Sequence, residues 1–185
     1  MADQQPPAGG PGAEGEQPPI AINILAQYVK DLSFENPGAP NSLRAGQGQP
    51  KIDIQIGTRV NPQDQENVYE VIVALNAKAE TPDSGQTAFI VELAYGGLFQ
   101  LTNVPKEHLD LFLLVEAPRM IFPFARRVFA DAPRDGGFPP LMLDPVDFLQ
   151  LAQQQQAAAQ QQARGNGDGG LGAPGGDTPN IILPN

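Results

Sequence analysis

Catalysis needs reactive groups brought together, and this 185-residue chain holds few. Its one histidine is His108, its serines are Ser33, Ser42 and Ser84, and it has no cysteine. Any Ser-His-Asp arrangement would therefore rest on His108 alone, and thiol chemistry is excluded. His108 falls early in a predicted helix, where it reads as an exposed or partly packed side chain. Metal centres built from His and Cys are absent by count. Asp144 and Asp147 could form a carboxylate pair, but Asp144-Pro145-Val146-Asp147 reads first as a helix start, with Asp144 as N-cap and Pro145 in the first position. Gly165-Asn166-Gly167-Asp168-Gly169-Gly170 lacks a preceding strand and a following helix, so it is a linker and no phosphate loop. No catalytic residue, metal site or cofactor is expected, and the protein is read as a non-enzyme.

Two surfaces remain. Asp31 and Glu35 fall on one face of a first predicted strand, and Glu92 falls beside Ile90 on the more polar face of a fourth. In a shared sheet these carboxylates gather on its solvent side, either as a plain solvated face or as a docking site for a basic partner. The second surface is apolar. Phe89, Val91, Leu93 and Tyr95, with Tyr69, Val71 and Val73, line the opposite face and compete for cover by helices or by further subunits.

The elements that must position these residues centre on Val68 to Gln100. Tyr69, Val71, Val73, Leu75, Ala77 and Ala79 alternate against Glu70, Asn76 and Lys78, and Phe89 to Tyr95 alternate in the same way. That period of two marks half-buried antiparallel strands, joined by a turn at Thr81-Pro82-Asp83-Ser84-Gly85. A ribbon of two strands is not stable alone in water. Further strands are expected over Ile20 to Glu35 and Lys51 to Val60. In the first, Ile22, Ile24, Tyr28, Leu32 and Phe34 share one face, and Val29, Asp31, Ser33 and Glu35 the other. Gly96-Gly97 marks a bulge or a close backbone approach. After the sheet the period becomes helical. Val104 to Glu116 carries Leu109, Phe112 and Leu113, Ala117-Pro118 breaks or bends it, and Arg119 to Ala132 carries Met120, Phe124, Val128 and Phe129 on one side. A last helix continues through Phe148 and the Gln/Ala run. The expected fold is α+β, a four-stranded antiparallel sheet with helices on one face.

Residues 1–19 and 164–185 are rich in Gly, Pro, Gln and Ala and are expected to be disordered, leaving 20–163 as one domain. Three acids in the first segment, and one base with two acids in the last, leave the domain 10 bases against 16 acids. This acidity disfavours nucleic acid or an anionic membrane as the main partner. No apolar run approaches the roughly 20 residues that span a bilayer, and the N-terminus is unlike a signal peptide. A cytoplasmic protein is expected.

Five stretches in order, YVKDLSFENPGAP (28–40), VYEVIVALNAKA (68–79), TAFIVELAYGGLF (87–99), IFPFARR (121–127) and GGFPPLMLDPVDF (136–148), together resemble the SecB family of bacterial protein-export chaperones. The likeness covers about 20–162. It implies a dimer of dimers with helices sandwiched between two eight-stranded sheets. It also implies a holdase that works without ATP, binds unfolded precursors and delivers them to SecA. Carried over by motif, Asp31, Glu35, Ile90 and Glu92 would meet the basic, zinc-bearing SecA tail, and Val91, Leu93 and Tyr95 would influence tetramer assembly. Phe34, Leu43, Phe99, Phe124 and Phe138 are candidates for client binding. A chaperone dedicated to one client, such as a toxin–antitoxin pair, is the alternative on the same scaffold. The extension at each end departs from the family pattern.

Overall fold

A computed structural model of the chain describes residues 19–44, 48–82 and 84–165. The two segments expected to be disordered lie almost wholly outside the described residues. Four strands, β1 (Ala21–Glu35), β2 (Lys51–Pro62), β3 (Val68–Glu80) and β4 (Thr87–Thr102), precede three helices, α1 (Lys106–Leu111), α2 (Ala117–Asp135) and α3 (Phe148–Gly165). The sheet is antiparallel throughout, in the order β1-β4-β3-β2. This is the α+β sheet that the alternation predicts. The β3–β4 turn closes through Thr81 N–H to Gln86 O at 2.9 Å, and Gly85 takes a left-handed φ of 66° there.

One face of the sheet carries the core. Val71, Val73 and Leu75 on β3 and Val91, Leu93 and Phe99 on β4 are buried under Leu113, Ile121, Ala125 and Phe129. Strand alternation sends Glu70, Asn76, Lys78, Ile90 and Glu92 to the opposite, open face.

Several details refine or differ from the expectations drawn from sequence. Gly96 and Gly97 keep continuous register with both neighbouring strands, so there is no bulge at that point. They serve close approach instead: a Cβ at Gly96 would come within 2.7 Å of the Tyr28 ring. β1 is bulged between Ile24 and Ala26 and between Val29 and Asp31, and a further register shift lies beside the β3–β4 turn, between Ala79 and Glu80. Each bulge in β1 adds a residue and inverts the alternation. Tyr28 therefore faces the open side, opposite Gly96, while Val29 joins Leu32 and Phe34 on the helix side, opposite Tyr95.

The helical region does not break at Ala117-Pro118. Residues 106–135 form one run, interrupted by a π turn over Phe112–Glu116, where Ala117 N–H reaches Phe112 O. Pro118 has no N–H to continue an α ladder, and the wider turn accommodates that. The extra residue also advances the apolar face by one position. Ile121, Ala125 and Phe129 are buried, whereas Met120 and Phe124 point outward. The cap of α3 is Asp147 rather than Asp144: its Oδ1 accepts the amides of Leu149 and Gln150 at 3.0 and 3.1 Å.

Candidate functional site: an acidic sheet face and an aromatic groove

On the open face, Asp31, Ser33 and Glu35 run along β1 directly opposite Ala94, Glu92 and Ile90 of β4. Beyond β4 the register continues to Asn76 and Lys78 on β3, and then to Gln55 and Asp53 on β2. Asp31, Glu35, Glu92 and Asp53 are exposed, and Ile90 is half-buried among them. A shallow depression of about 260 Å³ lined by Asp53, Gln55, Asn76, Lys78, Ile90 and Glu92 marks its centre. The base that lines it, Lys78, is engaged by Glu80 at 2.9 Å. The four residues Asp31, Glu35, Ile90 and Glu92 thus form one patch. Asp53 and Asn76 extend it, and finding them required the β2–β3 register, which local alternation cannot supply.

The same face holds a polar cluster unforeseen from sequence. Glu70, only 7% exposed, accepts hydrogen bonds from Tyr28 Oη at 2.5 Å, Lys30 Nζ at 2.8 and 2.9 Å, and Asn61 Nδ2 at 2.8 Å. Burial works to raise its pKa. The bonds from Lys30, Tyr28 and Asn61, with the Lys30 charge, outweigh burial and hold the carboxyl below its usual range. Tyr28 is pushed up to about 12 by burial and by its bond to the Glu70 charge.

Across the sheet edge lies a groove of about 410 Å³ between the loop after β1 and the residues after α2, lined by Leu43, Ile52, Phe89, Phe138 and Leu141 among others. Phe89 and Phe138 line it, and Phe34 packs against both rings from behind, with centroids 4.8 to 6.4 Å apart. Leu43 is 46% exposed at its rim. The structure therefore joins Phe34, Leu43 and Phe138. It leaves out Phe99, fully buried beneath the helices, and Phe124, half exposed on the outer side of α2. Val91, Leu93 and Tyr95 lie in the core under the helices of the same chain.

A larger groove of about 770 Å³ between α2 and residues 140–148 is lined by Arg119, Arg126, Arg127 and Arg134. Arg119 is balanced by Glu116 at 2.8 Å, and Arg134 by Asp131 at 2.7 Å and Asp135 at 3.2 Å. No helix among the described residues is long and apolar enough to cross a membrane.

Against known proteins, the pattern of the family described as "Preprotein translocase subunit SecB" matches residues 14–159. The chain belongs to the SecB family, a family of chaperones and not of enzymes. It is 53% identical over 167 residues to the protein-export protein SecB of Maricaulis maris, covering 88% of this chain and 93% of that one. To the protein of the same name from a Bradyrhizobium strain it is 55% identical over 156 residues, covering 82% and 94%. Among solved structures, a SecB-like chaperone of Mycobacterium tuberculosis in complex with an antitoxin peptide shares the fold. Its TM-score is 0.55 at 15% identity, covering 68% of this chain and 90% of that one.

Proposed function

We propose that this protein is an ATP-independent holdase in the cytoplasm that keeps unfolded precursors translocation-competent and hands them to SecA. The observation that supports the reading is the presence of an exposed acidic sheet face and a separate apolar groove, in a chain about half identical to proteins named for export. The groove at Phe34, Leu43 and Phe138 offers aromatic and aliphatic surface with loop backbone at its edge, which suits clients of many sequences. Phe124 offers separate exposed apolar surface on the outer side of α2, and Phe99, fully buried, has no direct part in the groove. The patch at Asp31, Glu35, Ile90 and Glu92 is acidic with an apolar centre, complementary to the basic, zinc-bearing tail of SecA.

Assembly as a dimer of dimers is part of the same reading. β1 is an edge strand of 15 residues, and only Ser33 and Phe34 near its end are partly covered. Ile22, Ile24, Val29 and Leu32 expose apolar surface on the helix side of the sheet, beyond the reach of the helices. An uncovered apolar edge is a pairing surface. Val91, Leu93 and Tyr95 act on the tetramer from beneath, by setting how the helical layer lies on the sheet. The alternative, a chaperone dedicated to a toxin–antitoxin pair, gains nothing from the Mycobacterium likeness, which at 15% identity speaks for the fold alone.

Binding of a fluorescent zinc-loaded SecA tail peptide tests the handover. Asp31→Asn, Glu35→Gln and Glu92→Gln should each weaken it while capture of an unfolded precursor stays unchanged. Equal peptide affinity in all three variants would overturn the docking face.

A further inference from the structure

β1 is held at two points on opposite faces. Tyr28 lies on the open side, its ring across Gly96 and its hydroxyl on Glu70. Phe34 lies on the helix side against Phe89 and Phe138, so close to Gly136 that a Cβ there would sit 2.2 Å from its ring. The two are six residues apart. In a regular strand an even separation puts both on one face, so one additional residue must be accommodated between them. The register shift between Val29 and Asp31 leaves Lys30 as that residue. Lys30 does not extend idly into solvent: its ammonium turns back to the Glu70 carboxylate that also holds Tyr28. Asn61 on β2 steadies Glu70 from the other side. One carboxylate on β3 thus grips the bulged residue, Lys30, and Tyr28 two residues before it. Asp31, the next residue, faces outward in phase with Glu35 because the bulge lies before it; were the additional residue taken up between Asp31 and Phe34 instead, Asp31 would turn to the helix side.

We propose that Glu70 is a positioning residue for the acidic docking face: by pinning Tyr28 and Lys30 it fixes the bulge that turns Asp31 outward, and it neutralises the lysine that would otherwise stand beside that acid. Glu35 is set separately, because Phe34 fixes its parity from the helix side. The dependence on Glu70 is therefore local to Asp31.

This inference rests on the docking reading above, and a pair of double-mutant cycles separates the two. With the zinc-loaded tail peptide as probe, Glu70→Gln should weaken binding about as much as Asp31→Asn, roughly fivefold, the size of one exposed charge pair. The double variant Asp31→Asn/Glu70→Gln should bind no more weakly than Asp31→Asn alone, whereas Glu35→Gln/Glu70→Gln should show the product of the single losses. A pure charge effect would multiply in both cycles, and general destabilisation would also lower precursor capture, which should not change. Tyr28→Phe keeps the ring over Gly96 and removes one bond to Glu70, so it gives a milder test should Glu70→Gln fold poorly. Its smaller loss should likewise vanish in the Asp31→Asn background. In parallel, cross-strand NMR contacts in Glu70→Gln should lose the Asp31–Ala94 pairing and keep Glu35–Ile90. Independent losses at Glu70 and Asp31, or an intact Asp31–Ala94 pairing, would overturn the proposal. If Asp31→Asn and Glu35→Gln leave peptide binding unchanged, the docking reading falls, and the NMR pairing alone decides the role of Glu70.

Discussion

Glu70 carries its negative charge at 7% exposure because three donors surround it. Its pKa lies lower in the folded protein than in the unfolded chain. Its contribution to stability is therefore present above the unfolded value, roughly 4.3, and is lost as pH falls through the depressed folded value. Tyr28 has the opposite sign. Its pKa rises from 10.0 to about 12, so its contribution is complete below about 10 and is lost as pH rises toward 12. An alkaline absorbance titration should show one tyrosine ionising near 12, a step that Tyr28→Phe removes. Urea midpoints measured against pH should fall less steeply at the acid end in Glu70→Gln than in the native chain, while that variant loses about 1–3 kcal/mol at neutral pH. The acids of the proposed docking patch were legible in the sequence because Asp31, Glu35 and Glu92 need only local alternation. The Glu70 cluster was not, since it joins residues 28, 30, 61 and 70 through the registers of three strands.

At the level of elements, glycine placement governs how the layers meet. A Cβ at Gly97 would lie 2.7 Å from the Phe99 ring and 2.9 Å from Ile121 of α2. Both neighbours are fully buried and cannot retreat. Gly97→Ala is therefore expected to cost about 1–3 kcal/mol in chemical denaturation, the usual range for overpacking a core. The sequence named the close approach at this glycine pair as one of two meanings, and only the partners across the sheet decide between them. The β3–β4 ribbon was readable because both strands keep strict alternation around a turn of Pro and Gly. The first strand misled in the middle, at Tyr28 and Val29, because a bulge leaves no mark in side-chain type. The helical stripe misled for a related reason. A π turn adds one residue to a period counted in 3.6, and Met120 and Phe124 exchange places with Ile121 and Ala125.

The whole molecule presents an apolar row along the helix side of β1, at Ile22, Ile24, Val29 and Leu32, that one chain leaves bare. In the proposed assembly other copies cover it. Light-scattering mass should correspond to four chains, and Leu32→Lys should shift it toward smaller species without loss of helical signal. A monomeric native chain with unchanged precursor capture would dispose of the proposed tetramer. Nothing in the alternation of β1 identifies which partner covers the row. Sequence shows that a side chain is apolar, and whether its own chain or another shields it depends on where the helices come to rest.

The two bulges of β1 act as a pair. The stretch from Ala26 to Val29 runs out of phase, and the second bulge returns Asp31 to Glu35 to the phase in which Ile22 and Ile24 began. Gain or loss of a single residue anywhere in this strand would leave one end with its wet and dry faces exchanged. Changes in chain length can survive there only in compensating pairs, whereas the turn residues 36–40 after the strand have no such parity to keep. Descent with insertion and deletion is thus counted in twos along the edge strand.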